Sequence, residues 1–233
     1  YLEGKLYVLQ NPKYTVLEAS GCVAGTRTDL IASTLPNPWD HDWNDHVPAN
    51  FKLAMDGYFY VSVGDKGLYG AVGADGVRVD LHGGGILRMR PAATELEIFS
   101  TGTRNHLDVA VNLEDDIFTY DNTDEIDWWS RVTHMVEGGY YGYPWDHKPA
   151  QPYILPAITD YGAGAATAML SHDEDALPEE YRGDLWLADW GRREIFRLKL
   201  ERAGSTYRVA KRIDFISQAP ADFRPVGMAF APD

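Results

Sequence analysis

The residues best placed to do chemistry are Asp45-His46, followed after 18 intervening positions by Asp65. A carboxylate bonded to one imidazole nitrogen fixes the tautomer and leaves the other nitrogen to take a proton. His46 and Asp65 are thus a candidate base and its orienting acid, or else two turn residues that satisfy loop amides. A second group lies in Thr101-Gly-Thr-Arg-Asn105. Arg104 offers a planar fork for a carboxylate and Asn105 both a donor and an acceptor; the alternative is a structural arginine bridging two units. A third is the stretch Asp121-Asn-Thr-Asp-Glu125, with Asp127 close by. Its oxygens suit a hard cation such as Ca²⁺ through carboxylates or backbone carbonyls, although the EF-hand spacing is absent. The alternative is a solvated acidic surface. Trp128, Trp129, Tyr140, Tyr141, Tyr143 and Trp145 offer flat rings for stacking on a planar cofactor or a sugar, or for packing a small core of their own. The remaining histidines, at 41, 82, 106, 134, 147 and 172, have no metal-ligand spacing.

Positioning these groups requires a scaffold, and the chain carries a repeated one. An apolar strand, a turn with Asp or Gly, a β-rich strand and a polar end recur in Phe51–Asp65 and Leu107–Asp121. A half copy, Gly183–Asp189, continues into Arg193–Leu200, which alternates like a half-buried strand. Glu3–Leu9 reads as a second half and Val226–Asp233 as a first half of the same unit. The turn positions Gly4, Gly57, Asp116 and Gly183 are 53, 59 and 67 residues apart. Periods of this size, each with several short strands, are the signature of propeller blades, whereas a sandwich would not repeat. Strand ends of a propeller converge on one face near the axis, which would let His46 and Asp65 meet. The expectation is an all-β propeller of about four blades over residues 1–233. Six blades of this size need roughly 350 residues, so the ring is expected to be open, a piece of a longer polypeptide lacking blades at both ends. Residues 12–50 and 121–160 read as long irregular excursions, and Pro178–Tyr181 as a short helical turn.

Composition narrows the function classes. With Lys+Arg 21 against Asp+Glu 35 the net charge is −14, which disfavours a phosphate-backbone partner. No apolar run approaches the roughly 18 residues of a membrane helix. The single Cys22 excludes an intrachain disulfide, an all-cysteine metal site and a C-x-x-C-H haem attachment.

Taken in order, Asp45-His46, Val63-Gly-Asp-Lys-Gly67, Thr101–Asn105, Glu137-Gly-Gly-Tyr-Tyr-Gly-Tyr-Pro144, Leu185–Arg193 and Asp222-Phe-Arg-Pro225 resemble the soluble quinoprotein glucose and sorbosone dehydrogenases. The wording of Phe118–Asp124 is closest to bacterial propellers described as membrane-bound dehydrogenases. The resemblance implies a six-bladed propeller that binds pyrroloquinoline quinone (PQQ) and Ca²⁺ on its top face. It implies that His46 is the general base and Asp65 its orienting carboxylate. It further implies that Asp45, Arg104, Asn105, Arg192 and Arg224 hold the cofactor and that the carbonyls of Thr123 and Asp124 hold Ca²⁺. A sugar or related alcohol as substrate, an external electron acceptor such as a cytochrome c and a periplasmic or secreted location follow from the same resemblance. The chain departs from the family at Gly70, Gly191 and Val226, where an amide, a lysine and an arginine are expected. Two other readings remain open: a propeller that binds carbohydrate or protein without catalysis, and a Ca²⁺-dependent lactone hydrolase in which Asp65, Asp121 and Asp189 converge on one ion.

Overall fold

The computed structural model describes residues 1–10, 13–20, 23–31, 45–122, 129–146, 151–175 and 177–230. Thr123 and Asp124, and with them the expected Ca²⁺ carbonyls, lie outside the described residues, as do Cys22, Asp127 and Trp128.

Among the described residues, eighteen strands form four successive, largely antiparallel sheets with one added hairpin. The first sheet is β1 (Lys5–Gln10), β2 (Lys13–Ser20) and β3 (Val23–Ile31). The second pairs β4 (Pro48–Leu53) with β5 (Phe59–Val63), and after the hairpin β6 (Leu68–Val72) and β7 (Arg78–Leu81) continues through β8 (Gly84–Met89) and β9 (Glu97–Thr103). The third contains β10 (Val109–Val111), β11 (Ile117–Asp121) and β12 (Arg131–Met135). From there the chain returns to lay β13 (Gly139–Tyr140) parallel to β9, then completes the third sheet with β14 (Thr159–Asp160). The fourth is β15 (Ala166–His172), β16 (Asp184–Asp189), β17 (Glu194–Ala203) and β18 (Thr206–Ile216). This is the expected β-propeller, and a single 3₁₀ turn at Glu179–Tyr181 occupies the expected helical position.

The period of two along each strand explains why the blades stack. In β5, Phe59, Val61 and Val63 face Tyr14 and Ile31 of the first sheet, while Tyr60 on the opposite face joins Phe99, Val109 and Ile117. In β11, Ile117 faces back to the second sheet, whereas Phe118 and Tyr120 face forward to Leu185, Leu187 and Phe196 of the fourth. Three inter-blade cores therefore run in series, and β5, β11, β12 and β16 are buried along their whole length. β5 and β11 are rich in β-branched and aromatic residues, which suit a strand covered on both faces.

The innermost strands β4, β10 and β15 lie side by side. Asp108 ties all three. It accepts the Asn50 amide at 2.8 Å and the backbone N–H of Met169 at 3.2 Å, and faces Lys52 Nζ at 3.3 Å. Burial holds its carboxyl above the usual range against the pull of Lys52. Expectations fail at three places. Residues 12–50 carry β2 and β3, and residues 121–160 carry β12, β13 and β14, where the sequence predicts irregular excursions. Residues 226–230 carry no strand, because a strand requires a ladder partner; instead Phe230 packs on the rings of His172 and Trp186.

Candidate functional site

The second strand of each of the last three sheets ends at an aspartate: Asp65 just beyond β5, Asp121 closing β11 and Asp189 closing β16. Each carboxylate reaches the loop that leads into the first strand of its own blade. Asp121 accepts the backbone N–H of Arg104 at 3.0 Å and of Asn105 at 2.7 Å, and Arg131 lies at 3.4 Å. Asp189 accepts the N–H of Ala165 at 3.0 Å, the N–H of Arg192 at 2.8 Å and the Tyr120 hydroxyl at 2.9 Å. Both carboxylates are fully buried. Burial and the neighbouring Asp189 push the Tyr120 phenol far above its ordinary value.

At the corresponding point of the second sheet the geometry changes. Asp65 Oδ1 accepts from His46 Nδ1 at 2.7 Å, and both side chains remain about one-fifth exposed. With Nδ1–H donated to the carboxylate, Nε2 carries the lone pair. The His46 backbone sits at φ 54°, a left-handed conformation uncommon for a residue with a β-carbon. Its carbonyl accepts the N–H of Lys66 at 3.2 Å. Gly64 packs so closely on this peptide that a Cβ there would lie 2.5 Å from the His46 carbonyl carbon. The N–H of Asp65 in turn donates to the Arg104 carbonyl at 2.6 Å, which brings the Arg104-Asn105 peptide beside the imidazole pair.

The structure therefore brings His46, Asp65, Arg104 and Asn105 together. The Arg104 guanidinium donates to Asn122 at 2.9 Å, and Asn105 is buried with its Oδ1 lacking a hydrogen-bond partner among the described residues. Asp45 lies next to His46 but its carboxylate pairs with Lys66 Nζ at 2.8 Å, and this bond holds the carboxyl below its usual range. Arg192 lies in the turn that follows Asp189, and Arg224 in the segment beyond β18. Arg192 pairs with Glu194 at 2.6 Å and donates to the Tyr161 carbonyl at 2.6 Å. Arg224 donates to the Trp190 carbonyl at 2.9 Å and lies over its ring at 4.4 Å. The aromatic run divides: Tyr141 is fully buried with its hydroxyl on the His134 carbonyl, Tyr140 stacks on Tyr153, and Trp145 is exposed.

Two residues with no role in the sequence reading emerge. Arg131 ties blades together through the carbonyls of Tyr141 at 2.8 Å and Gly102 at 3.0 Å. Lys66 contacts the His46 peptide and Asp45, and its only sequence signal is its place between the two glycines of Val63–Gly67. Asp121 serves its own blade and Asp189 its own blade and the Tyr120 hydroxyl of the third sheet, and no group of three metal-ligating side chains occurs among the described residues. No helix among them is long and apolar enough to cross a membrane.

Solved structures share this fold at low sequence identity. A Thermus thermophilus protein assigned as an oxidoreductase (glucose dehydrogenase) superposes with a TM-score of 0.70 and 18% identity, over 94% of this chain and 66% of its own. The PQQ-bound aldose sugar dehydrogenase of Streptomyces coelicolor matches at 0.67 and 17%, over 92% and 62%. The holo PQQ domain of pyranose dehydrogenase from Coprinopsis cinerea matches at 0.63 and 11%, over 96% and 73%. The chain thus spans just under two thirds of the length of the first two. The resemblance read from the motifs is to the same group of PQQ-dependent sugar dehydrogenases. Among curated proteins none matches the chain. A family profile does match residues 32–233, and the chain belongs to that family, described as Domain of unknown function (DUF7133).

Proposed function

We propose that this propeller is a quinoprotein-type oxidoreductase domain that oxidises a hydroxyl of a sugar or related alcohol with PQQ and Ca²⁺, in the periplasm or outside the cell. The observation that carries the reading is the 2.7 Å bond from His46 Nδ1 to Asp65. It holds Nε2 as the basic nitrogen, so that a substrate hydroxyl placed against it gives up its proton as the carbon–oxygen bond gains double-bond character. Asp65 keeps the ring oriented and stabilises the imidazolium that results.

One edge suits a planar cofactor that has an N–H to offer. Asn105, with its backbone N–H on Asp121, keeps a buried Oδ1 that would accept from a ring N–H, and Arg104 lies next to it. These two would hold the quinone edge, with Arg192 and Arg224 on the far side and the carbonyls of Thr123 and Asp124 at the metal. When bound, PQQ would accept the hydrogen and electron pair leaving the carbinol carbon, while Ca²⁺ polarises a quinone carbonyl. A small sugar or alcohol and an external electron acceptor such as a cytochrome c are the partners this chemistry needs.

A second reading, a propeller that binds carbohydrate or protein without turnover, draws support from Arg192, whose guanidinium is already paired with Glu194. The lactone hydrolase reading has no such support, because Asp121 and Asp189 are bound to backbone amides of different blades. Titration with PQQ and Ca²⁺ separates the first two: oxidoreduction requires a quinone-dependent absorbance change and dye-coupled turnover over an alcohol panel. His46→Ala should then lose about 10²–10⁴ in turnover. An unchanged rate in that variant removes His46 from the mechanism, and a flat titration favours the binding propeller.

A further inference from the structure

We infer that Lys66, clipped to Asp45, is a positioning residue that keeps the His46 peptide in its left-handed conformation and so keeps the imidazole on Asp65. The inference rests on the reading of His46 as the base. Its starting point is the difference between blades. In the third sheet the aspartate ending the second strand holds the lead-in loop through the N–H groups of Arg104 and Asn105, and in the fourth through that of Ala165. In the second sheet that carboxylate holds the imidazole, so the loop must be anchored by other means.

The anchor is the segment around Lys66. Its backbone N–H donates to the His46 carbonyl at 3.2 Å, and its ammonium reaches across to Asp45 at 2.8 Å. The two contacts bracket the strained residue: one grips the carbonyl leaving His46, the other the side chain of the residue before it. Gly64 completes the fit, because a Cβ there would lie 2.5 Å from the His46 carbonyl carbon. A left-handed conformation in a residue with a β-carbon persists only where its surroundings impose it. The Lys66 side chain is 19% exposed and Asp45 55% exposed, so the pair contributes little to global stability while remaining close enough to bias one loop conformation.

The test is the ¹⁵N pattern of the His46 ring in the full chain without cofactor, read beside melting temperature, and beside kcat and KM after reconstitution with PQQ and Ca²⁺. The wild type should show one tautomer with the proton on Nδ1. Lys66→Ala should shift the ring signals toward a tautomer average and lower kcat about three- to fivefold, with KM and melting temperature nearly unchanged. Lys66→Arg should restore both readouts. Ring signals identical in Lys66→Ala and wild type overturn the inference, as does Lys66→Arg behaving like Lys66→Ala. Should the wild type show no turnover at all, the oxidoreductase reading fails, and the ring signals alone still decide for or against the clip.

Discussion

Asp65 and Asp121 stand at equivalent places in neighbouring blades, yet they do opposite work. Asp121 is sealed from solvent and spends its oxygens on two backbone amides, with Arg131 beside it. Asp189, equally sealed, takes one lead-in amide from Ala165, one amide of its own turn from Arg192, and the Tyr120 hydroxyl. Asp65 is partly open to solvent and spends Oδ1 on a ring nitrogen. The repeat thus carries a structural device, a carboxylate that captures the lead-in loop, and one copy has been given an imidazole to hold instead. What changed is the loop: His46 turns into a left-handed conformation that presents its side chain to the carboxylate.

This contrast can be broken most directly at the aspartates. Asp121→Ala leaves two amides and the Arg131 charge buried without their acceptor, and should cost roughly 3–5 kcal/mol of stability. Asp65→Asn should change stability by about 1 kcal/mol or less while lowering turnover. Urea midpoints compare the two, and an equal loss of stability in both would mean that Asp65 is another structural clamp. The glycine contact sharpens the contrast further. Gly64→Ala forces a Cβ against the His46 peptide and should cost about 1–3 kcal/mol, with the loss of turnover exceeding what the lost folded fraction explains. Circular dichroism melts beside activity would show whether the two losses separate.

The smallest effect concerns pH. Burial holds His106 and His134 neutral, against the opposing pull of Asp121 and Asp116 respectively, so both fall below the ordinary value of 6.5. The unfolded chain takes up these protons near pH 6.5 and the folded chain does not, so stability should fall as pH drops below that point. Asp108, held above its usual range, works in the other direction and softens the slope. The melting temperature should therefore be lower at pH 5 than at pH 7, and His106→Gln should flatten the difference. An unchanged slope in that variant would assign the effect elsewhere.

Much of the scaffold was legible because it depends on local pattern. Phe51–Asp65 and Leu107–Asp121 read as strand–turn–strand units, and they correspond to the inner hairpins of two blades. Within the site, the proximity of His46 to Asp65 followed from their places before and after one hairpin. Lys66 was not legible, since nothing in its neighbourhood says that its ammonium returns to Asp45 across a turn. Arg131 was hidden for a similar reason: its partners, Gly102, Asp121 and Tyr141, come from three separate stretches. Residues 226–230 were misread as a strand because apolar alternation is a local property and ladder pairing is not.

Side-chain periodicity, turn residues and the order of motifs were enough by themselves to determine a repeated β architecture and to nominate the imidazole and its carboxylate. Tertiary structure alone decided that the two equivalent aspartates, Asp121 and Asp189, are buried on backbone amides, and how the loop before β4 turns to present His46. That presentation is a matter of a single φ angle and of a glycine on whose backbone a Cβ would lie 2.5 Å from the His46 carbonyl carbon. Such distances are set by how blades and loops pack, and no linear pattern of residue types encodes them.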